Sequence, residues 1–214
     1  MNTTARPIAV VLAISAAMLL AGCVPLFATG VAMGGVASYD RRSLGTQIED
    51  QSIQLRGTQR VKEALPGSEE AYGYVTSYNR RVLLTGLAPT EKQKEQAEKL
   101  AASLENIKTI HNEIQVSQGG AAPSSLRDTS TTTRIRAALL QNDEIESISI
   151  KVVTEARTVY LLGIVTQAEG KRAAEVASKV PGVEKVVTLF DYISDQELSD
   201  LQRQRAAQGK SAAQ

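Results

Sequence analysis

The sequence predicts an α+β protein made of two tandem αββαβ units, each a small three-stranded mixed sheet with two helices on one face. Three observations predict it. An internal repeat lays Thr58-Gln-Arg-Val-Lys-Glu-Ala-Leu65 over Thr132-Thr-Arg-Ile-Arg-Ala-Ala-Leu139, Arg81-Val-Leu-Leu-Thr-Gly86 over Thr158-Val-Tyr-Leu-Leu-Gly163, and Leu104 to Ile110 over Val180 to Val186. Within each copy, two stretches alternate apolar and polar residues across a turn, as in a hairpin with one buried face. Around that hairpin, apolar residues recur at helical spacing.

The chain begins with a secretory layout. Arg6 is the only charge in the first 22 residues, and Ile8 to Leu20 is apolar over a length that suits a signal-peptide core and falls short of a membrane span. Leu20-Ala-Gly-Cys23 follows, and Cys23 is the only cysteine. This motif resembles the bacterial lipobox, which implies cleavage before Cys23 and its acylation, palmitate included. Residues 1–22 then read as the signal peptide and 23–45 as an acylated tether, in which Pro25 interrupts the apolar run and Gly30 to Gly35 reads as a flexible stretch. Three acyl chains would hold the protein on a bilayer permanently, because each buried methylene contributes about 0.8 kcal/mol and two lipid signals already give stable attachment.

The first unit spans 46–117, with its first helix near Thr58 to Leu65, strands near Tyr72 to Tyr78, Val82 to Leu87 and Ile110 to Val116, and a long helix from about Thr90 to Leu104. Residues 118–125 carry the Gly, Ala, Pro and Ser of a linker. In the second unit, 126–193, Thr129 to Thr132 supply capping hydroxyls and a short helix carries Ile135, Ala138 and Leu139 inward. Ile148, Ile150 and Val152 alternate in the next strand, Glu155 to Arg157 make the turn, and Val159, Leu161 and Gly163 alternate again. Gln167 to Lys179 is the second helix, ended by Pro181-Gly182, and Val183 to Phe190 the last strand. Gly86 and Gly163 read as structural, marking a bulge or a backbone approached by a crossing helix. A unit of 60–70 residues buries only about 60% of its unfolded surface, so the two copies are expected to pack together. Residues 194–214 read as a frayed helix followed by disorder.

Composition narrows the function. Twenty-four Lys and Arg balance 23 Asp and Glu, for a formal net charge of +1, so neither a nucleic-acid footprint nor a broad polybasic patch is present. Aromatics are scarce, with two Phe, six Tyr and no Trp, which leaves modest means for a small-molecule pocket. No catalytic constellation, metal site or cofactor motif emerges. His111 is the sole histidine, aligns with Val187 and reads as a surface or edge residue. Glu49 with Asp50, Glu69 with Glu70, and Asp143 with Glu144 are adjacent in sequence and do not converge on a substrate by spacing. A glycine-rich phosphate loop and a GxSxG elbow are both missing. The chain reads as non-enzymatic, with no small-molecule substrate and no nucleic-acid partner.

The αββαβ order, the glycine closing the second strand and the apolar-Gly/Asn-apolar turn after the second helix resemble the BON domain of bacterial envelope proteins. Two copies behind a lipobox, with Asp40-Arg-Arg-Ser-Leu-Gly45-Thr-Gln-Ile-Glu-Asp50 between anchor and domain, resemble the dual BON-domain outer-membrane lipoproteins, the DolP/YraP family. That resemblance implies outer-membrane sorting, since Val24 rather than aspartate follows the lipidated cysteine, and a folded part facing the periplasm. It implies binding of anionic phospholipid, phosphatidylglycerol or cardiolipin, through the first helix of the second domain, in support of envelope integrity and of cell division. In this chain that helix is about Thr131 to Asn142. Ile135, Ala138 and Leu139 face the sheet, Thr133, Arg136 and Leu140 share another stripe, and Arg134 stands at its own angle. Ser130 occupies a position suited to an aromatic membrane wedge. Leucine in the acyl boundary with arginines on phosphates is the interfacial-helix scheme. The first copy places Pro66 where the second has Leu140, and Glu63 dilutes its charge, so the second copy is the working one. The alternative is an adaptor that docks an envelope protein on an exposed sheet edge, with lipid contact incidental.

Overall fold

Helix capping and hairpin turns set the local structure of this chain, whose computed structural model describes residues 40–65, 71–117 and 125–212. The readings placed on Cys23, the signal peptide, the tether before Asp40 and most of the linker lie outside the described residues. Ser43 caps α1 (Leu44–Ala64) by accepting from the Thr46 N–H at 3.1 Å. β1 (Tyr72–Tyr78) and β2 (Arg81–Ala88) pair antiparallel through Asn79-Arg80, with φ of 52° and 64°. Two central residues at positive φ match the right-handed twist of the flanking strands. α2 (Glu91–Ala102), capped by Thr90, crosses back so that β3 (Thr109–Asn112) and β4 (Gln115–Val116) run parallel to β2.

The second unit repeats the plan. α3 (Ser125–Leu140) and a 3₁₀ turn (Ser147–Ser149) lead to β5 (Ile150–Glu155), and Ala156-Arg157, with φ of 47° and 65°, turns into β6 (Thr158–Val165). α4 (Gln167–Ser178) begins with a reciprocal cap between Thr166 and Glu169, and β7 (Lys185–Tyr192) pairs parallel with β6. α5 (Asp195–Ala212) follows, its start capped by Ser194 and Glu197. The tail is thus a helix through Ala212, longer than the frayed helix followed by disorder that the sequence suggested, and the Ser194–Glu197 pair satisfies N–H groups at its start.

The first helices differ from the sequence reading in length and register. α3 starts at Ser125, so Thr129 to Thr132 lie inside it and do not cap it; Thr131 is buried, and the Thr132 hydroxyl donates to Thr154 at 2.7 Å. Asp50 on α1 accepts from the backbone N–H groups of Asn79 and Arg80, and Asp128 on α3 accepts from those of Ala156 and Arg157. These two aspartates fix the correspondence: Val61 matches Leu139, one helical turn from the sequence alignment with Ile135. Apolar periodicity cannot separate registers one turn apart, because a shift of four residues returns to nearly the same face.

Each unit has its own core between helices and sheet. Ile53, Val61, Val82 and Leu84 centre the first, and Ile135, Leu139, Val159 and Leu161 the second. A third cluster joins them: Tyr78 and Leu83 of the first sheet pack with Tyr160, Leu162, Ile164 and Leu189 of the second. The sheet faces opposite the helices therefore meet each other. β2 and β6 are buried on both faces, where alternation suggested one. Tyr78 donates to the Ser149 carbonyl at 2.9 Å, and Arg81 and Asn79 both reach Asp191, at 2.6 and 2.9 Å. Residues before α1 belong to this body as well. Arg41, 7% exposed, forks onto Glu169 at 2.6 and 2.7 Å and donates to the Ile164 carbonyl at 2.8 Å, so the segment read as the end of a tether binds the second unit.

Candidate functional site

α3 buries Asp128, Thr131, Ile135 and Leu139 along one line. At 100° per residue the outward side carries Leu126, Thr133 and Leu140, with Thr129 and Arg136 on its adjoining flank. Leu126 is 84% and Leu140 71% exposed. Among the residues singled out from sequence, Thr133, Arg136 and Leu140 thus share an outward stripe. Ser130 and Arg134 form a separate flank, with the Arg134 guanidinium donating to the Ser130 carbonyl at 3.4 Å and to Thr131 Oγ1 at 3.3 Å. The counterpart of Leu140 in the first unit is Lys62, not Pro66, so the contrast between copies at this position is leucine against an exposed lysine.

Leu140 stands at the mouth of a groove of about 440 Å³ whose walls include Arg42, Tyr78, Arg136, Ile148 and Lys151. Ile148 was read as an inward strand residue. It lies instead in the 3₁₀ turn, 45% exposed, while Ser149 takes the buried place. Arg42 lies 4.0 Å over the Tyr78 ring and bonds Asp40 and Asp50; burial opposes its charge, but those two carboxylates outweigh it and hold the guanidinium above its ordinary range. Lys151 donates to Gln54 at 2.7 Å, and burial first, then the Arg42 charge, pushes its ammonium down to about 8. The sequence reading did not single out Arg42, Ile148 or Lys151 as site residues. Lys151 sits on the polar side of an alternating strand, and only the first unit packed against that side buries it.

A buried cation of this kind has a cost that titration exposes. The unfolded chain keeps the Lys151 proton to about 10.5 and the folded chain releases it near 8, so the penalty is full below pH 8 and is relieved as pH rises from 8 to 10.5. Lys151→Met is expected to stabilise the fold by about 1–2 kcal/mol at pH 7, with the gain fading across that window. Thermal unfolding at pH 7 and pH 10 measures it, and a gain that does not change with pH refutes it.

His111, on edge strand β3, is half-buried with Nε2 3.3 Å from Arg81; burial, then the Arg81 charge, lowers its pKa. At Gly86 the close neighbour is the backbone of β1 and at Gly163 that of the 3₁₀ turn before β5, not the crossing helix that the sequence suggested. A Cβ on Gly86 would lie 2.0 Å from the Tyr72 carbonyl oxygen, and one on Gly163 would lie 2.6 Å from that of Ser149. Among the described residues, no group of three or more His, Cys, Asp or Glu could hold a metal ion, and no helix is long and apolar enough to cross a membrane.

The BON domain pattern matches residues 58–118 and again 127–193. The chain belongs to the BON-domain family. This dual BON-domain chain is 32% identical over 180 residues to the outer membrane lipoprotein DolP of Haemophilus influenzae, covering 84% of this chain and 93% of that one. It is 38% identical over 154 residues to the 21 kDa hemolysin of Actinobacillus pleuropneumoniae, covering 72% and 79%, and 29% identical over 164 residues to the osmotically-inducible protein Y of Escherichia coli, covering 74% and 80%. Together the two BON domains and these relatives support an outer-membrane lipoprotein family role.

Proposed function

We propose that this BON-domain chain is a non-enzymatic lipoprotein, acylated at Cys23 and held on the periplasmic side of the outer membrane, whose second domain binds anionic phospholipid and thereby supports envelope integrity. One observation carries the lipid reading: Leu140, 71% exposed at the end of α3, stands beside Arg136 on a stripe that also presents Leu126. A leucine entering the acyl boundary while an arginine meets phosphate is the arrangement of an interfacial helix. Each basic residue near an anionic surface contributes about 1 kcal/mol, so the contact is weak alone. An acyl anchor raises the local concentration enough for a weak contact to act.

The test uses unacylated residues 40–214, which include the whole packed body. The protein is expected to float with phosphatidylglycerol or cardiolipin vesicles and not with phosphatidylcholine, and Leu140→Glu is expected to weaken flotation by about tenfold or more, the scale of removing one buried leucine. Equal binding by both proteins, or by neither, refutes the site. In-cell crosslinking that yields one stoichiometric protein partner, retained when the lipid composition is changed, would point instead to an adaptor.

A further inference from the structure

The groove at the junction of the two domains holds cations that no carboxylate pairs directly. Arg42 on its wall is paired with two carboxylates, Asp40 and Asp50, at 2.6 and 2.7 Å, and the Asp50 charge also bears on Lys151. Lys151 and Arg136 have no such direct pairing. Lys151 donates to the neutral side chain of Gln54, Arg136 reaches the Val152 carbonyl at 3.4 Å, and neither pairs with a carboxylate among the described residues. An ammonium has three donors, so two of those on Lys151 remain for a ligand. Both cations are held by bonds that leave their charge intact, and partial burial strips Lys151 of part of its water, whereas Arg136 is exposed. That is the preparation an anion site needs, because a charge-assisted hydrogen bond is about twice as strong as a neutral one and stronger still away from bulk water. Leu140 and Ile148, both exposed, line the same groove and give the site an apolar lip. A groove of about 440 Å³ fits a headgroup, being within the usual range of about 300–1,000 Å³ for ligand clefts.

We propose that Lys151 and Arg136 bind the phosphodiester of a membrane phospholipid in this groove, with its acyl side toward Leu140 and Ile148. The assignment rests on the lipid-binding reading above and adds to it that recognition occurs at the domain junction, since Tyr78 of the first unit and Arg42 just before it complete the wall, and Gln54 of the first unit seats the lysine. The second domain alone would therefore lack part of the site.

The experiment compares residues 40–214 as wild type, Lys151→Gln and Lys92→Gln, the last an exposed lysine of α2 that controls for net charge. Each is floated with vesicles of phosphatidylcholine with and without phosphatidylglycerol, and the Lys151 side-chain resonance is followed on adding glycerol 1-phosphate or inorganic phosphate. Lys151→Gln is expected to bind the anionic vesicles about tenfold more weakly, the loss of one charged hydrogen bond, and Lys92→Gln within about twofold of wild type. Glycerol 1-phosphate is expected to shift the resonance more than inorganic phosphate does. If Lys151→Gln binds like wild type or like Lys92→Gln while Leu140→Glu is impaired, the junction site is overturned and the α3 reading stands. If wild type ignores anionic vesicles yet the resonance responds to inorganic phosphate, the headgroup assignment is overturned and the groove is a site for soluble phosphate. If nothing responds in either arm, both readings fall.

Discussion

Asp50→Ala lowers the unfolding free energy by about 3–5 kcal/mol, the range for breaking a buried charge pair and leaving its partners unsatisfied. Asp50 is 1% exposed and accepts from four donors: the Ser77 hydroxyl at 2.6 Å, the backbone N–H groups of Asn79 and Arg80 at 2.7 and 2.8 Å, and the Arg42 guanidinium at 2.7 Å. Alanine would strand two turn amides whose positive φ values leave them no alternative ladder, and would leave Arg42 with Asp40 as its remaining carboxylate. The loss would reach the groove as well, because Arg42 lies over Tyr78 through this pairing. Asp128 performs the same turn-capping role with two backbone donors at 2.9 and 3.3 Å, so Asp128→Ala is expected to cost less, about 1–3 kcal/mol. Urea denaturation of residues 40–214, followed by far-ultraviolet dichroism and tyrosine fluorescence, measures both. A loss below about 1 kcal/mol for Asp50→Ala would show that the turn holds without it.

The same aspartates explain what the sequence could and could not reveal. The hairpins, α2, α4 and β7 follow from alternation and capping residues within each copy, and the structure has them where those signals lie. The first helices were harder. Their apolar residues satisfy two registers equally, and the feature that decides between them is one carboxylate aimed at a turn far along the chain. Two-faced burial of β2 and β6 was legible only in part: Leu83, Leu162 and Ile164 stand in unbroken apolar runs, which a strand covered on both sides requires. What covers them is the other domain, which no local pattern specifies.

The candidate site divides along the same line. Leu140 and Arg136 could be placed on an outward stripe because helical phase is a local property. Lys151 could not be found, since a lysine on the polar side of a half-buried strand reads as solvated until a second sheet closes over it. The Arg41 fork onto Glu169 is equally hidden: in sequence, Asp40-Arg-Arg is a charged approach to a helix, whereas in the fold it ties the segment before α1 to the second domain.

Gly86→Ala is the second large loss, expected at about 3 kcal/mol. Gly86 sits opposite Gly73 in the β1–β2 hairpin with φ at 138°, a conformation that side chains strain by about 1–3 kcal/mol. Its Cβ would also fall 2.0 Å from the Tyr72 carbonyl oxygen, and backbone cannot swing aside as a side chain would. Relief requires β1 to shift from β2, and β1 carries Tyr72, whose hydroxyl bonds Glu155 of the second domain at 2.5 Å, and Tyr78 of the inter-domain cluster. Gly163→Ala meets the Ser149 oxygen at 2.6 Å without the strain of a positive φ, so it should lose less, about 1–2 kcal/mol. Denaturation midpoints of the two variants would separate the effects. Equal losses would mean that cross-strand crowding dominates at both glycines and that the positive φ of Gly86 adds nothing.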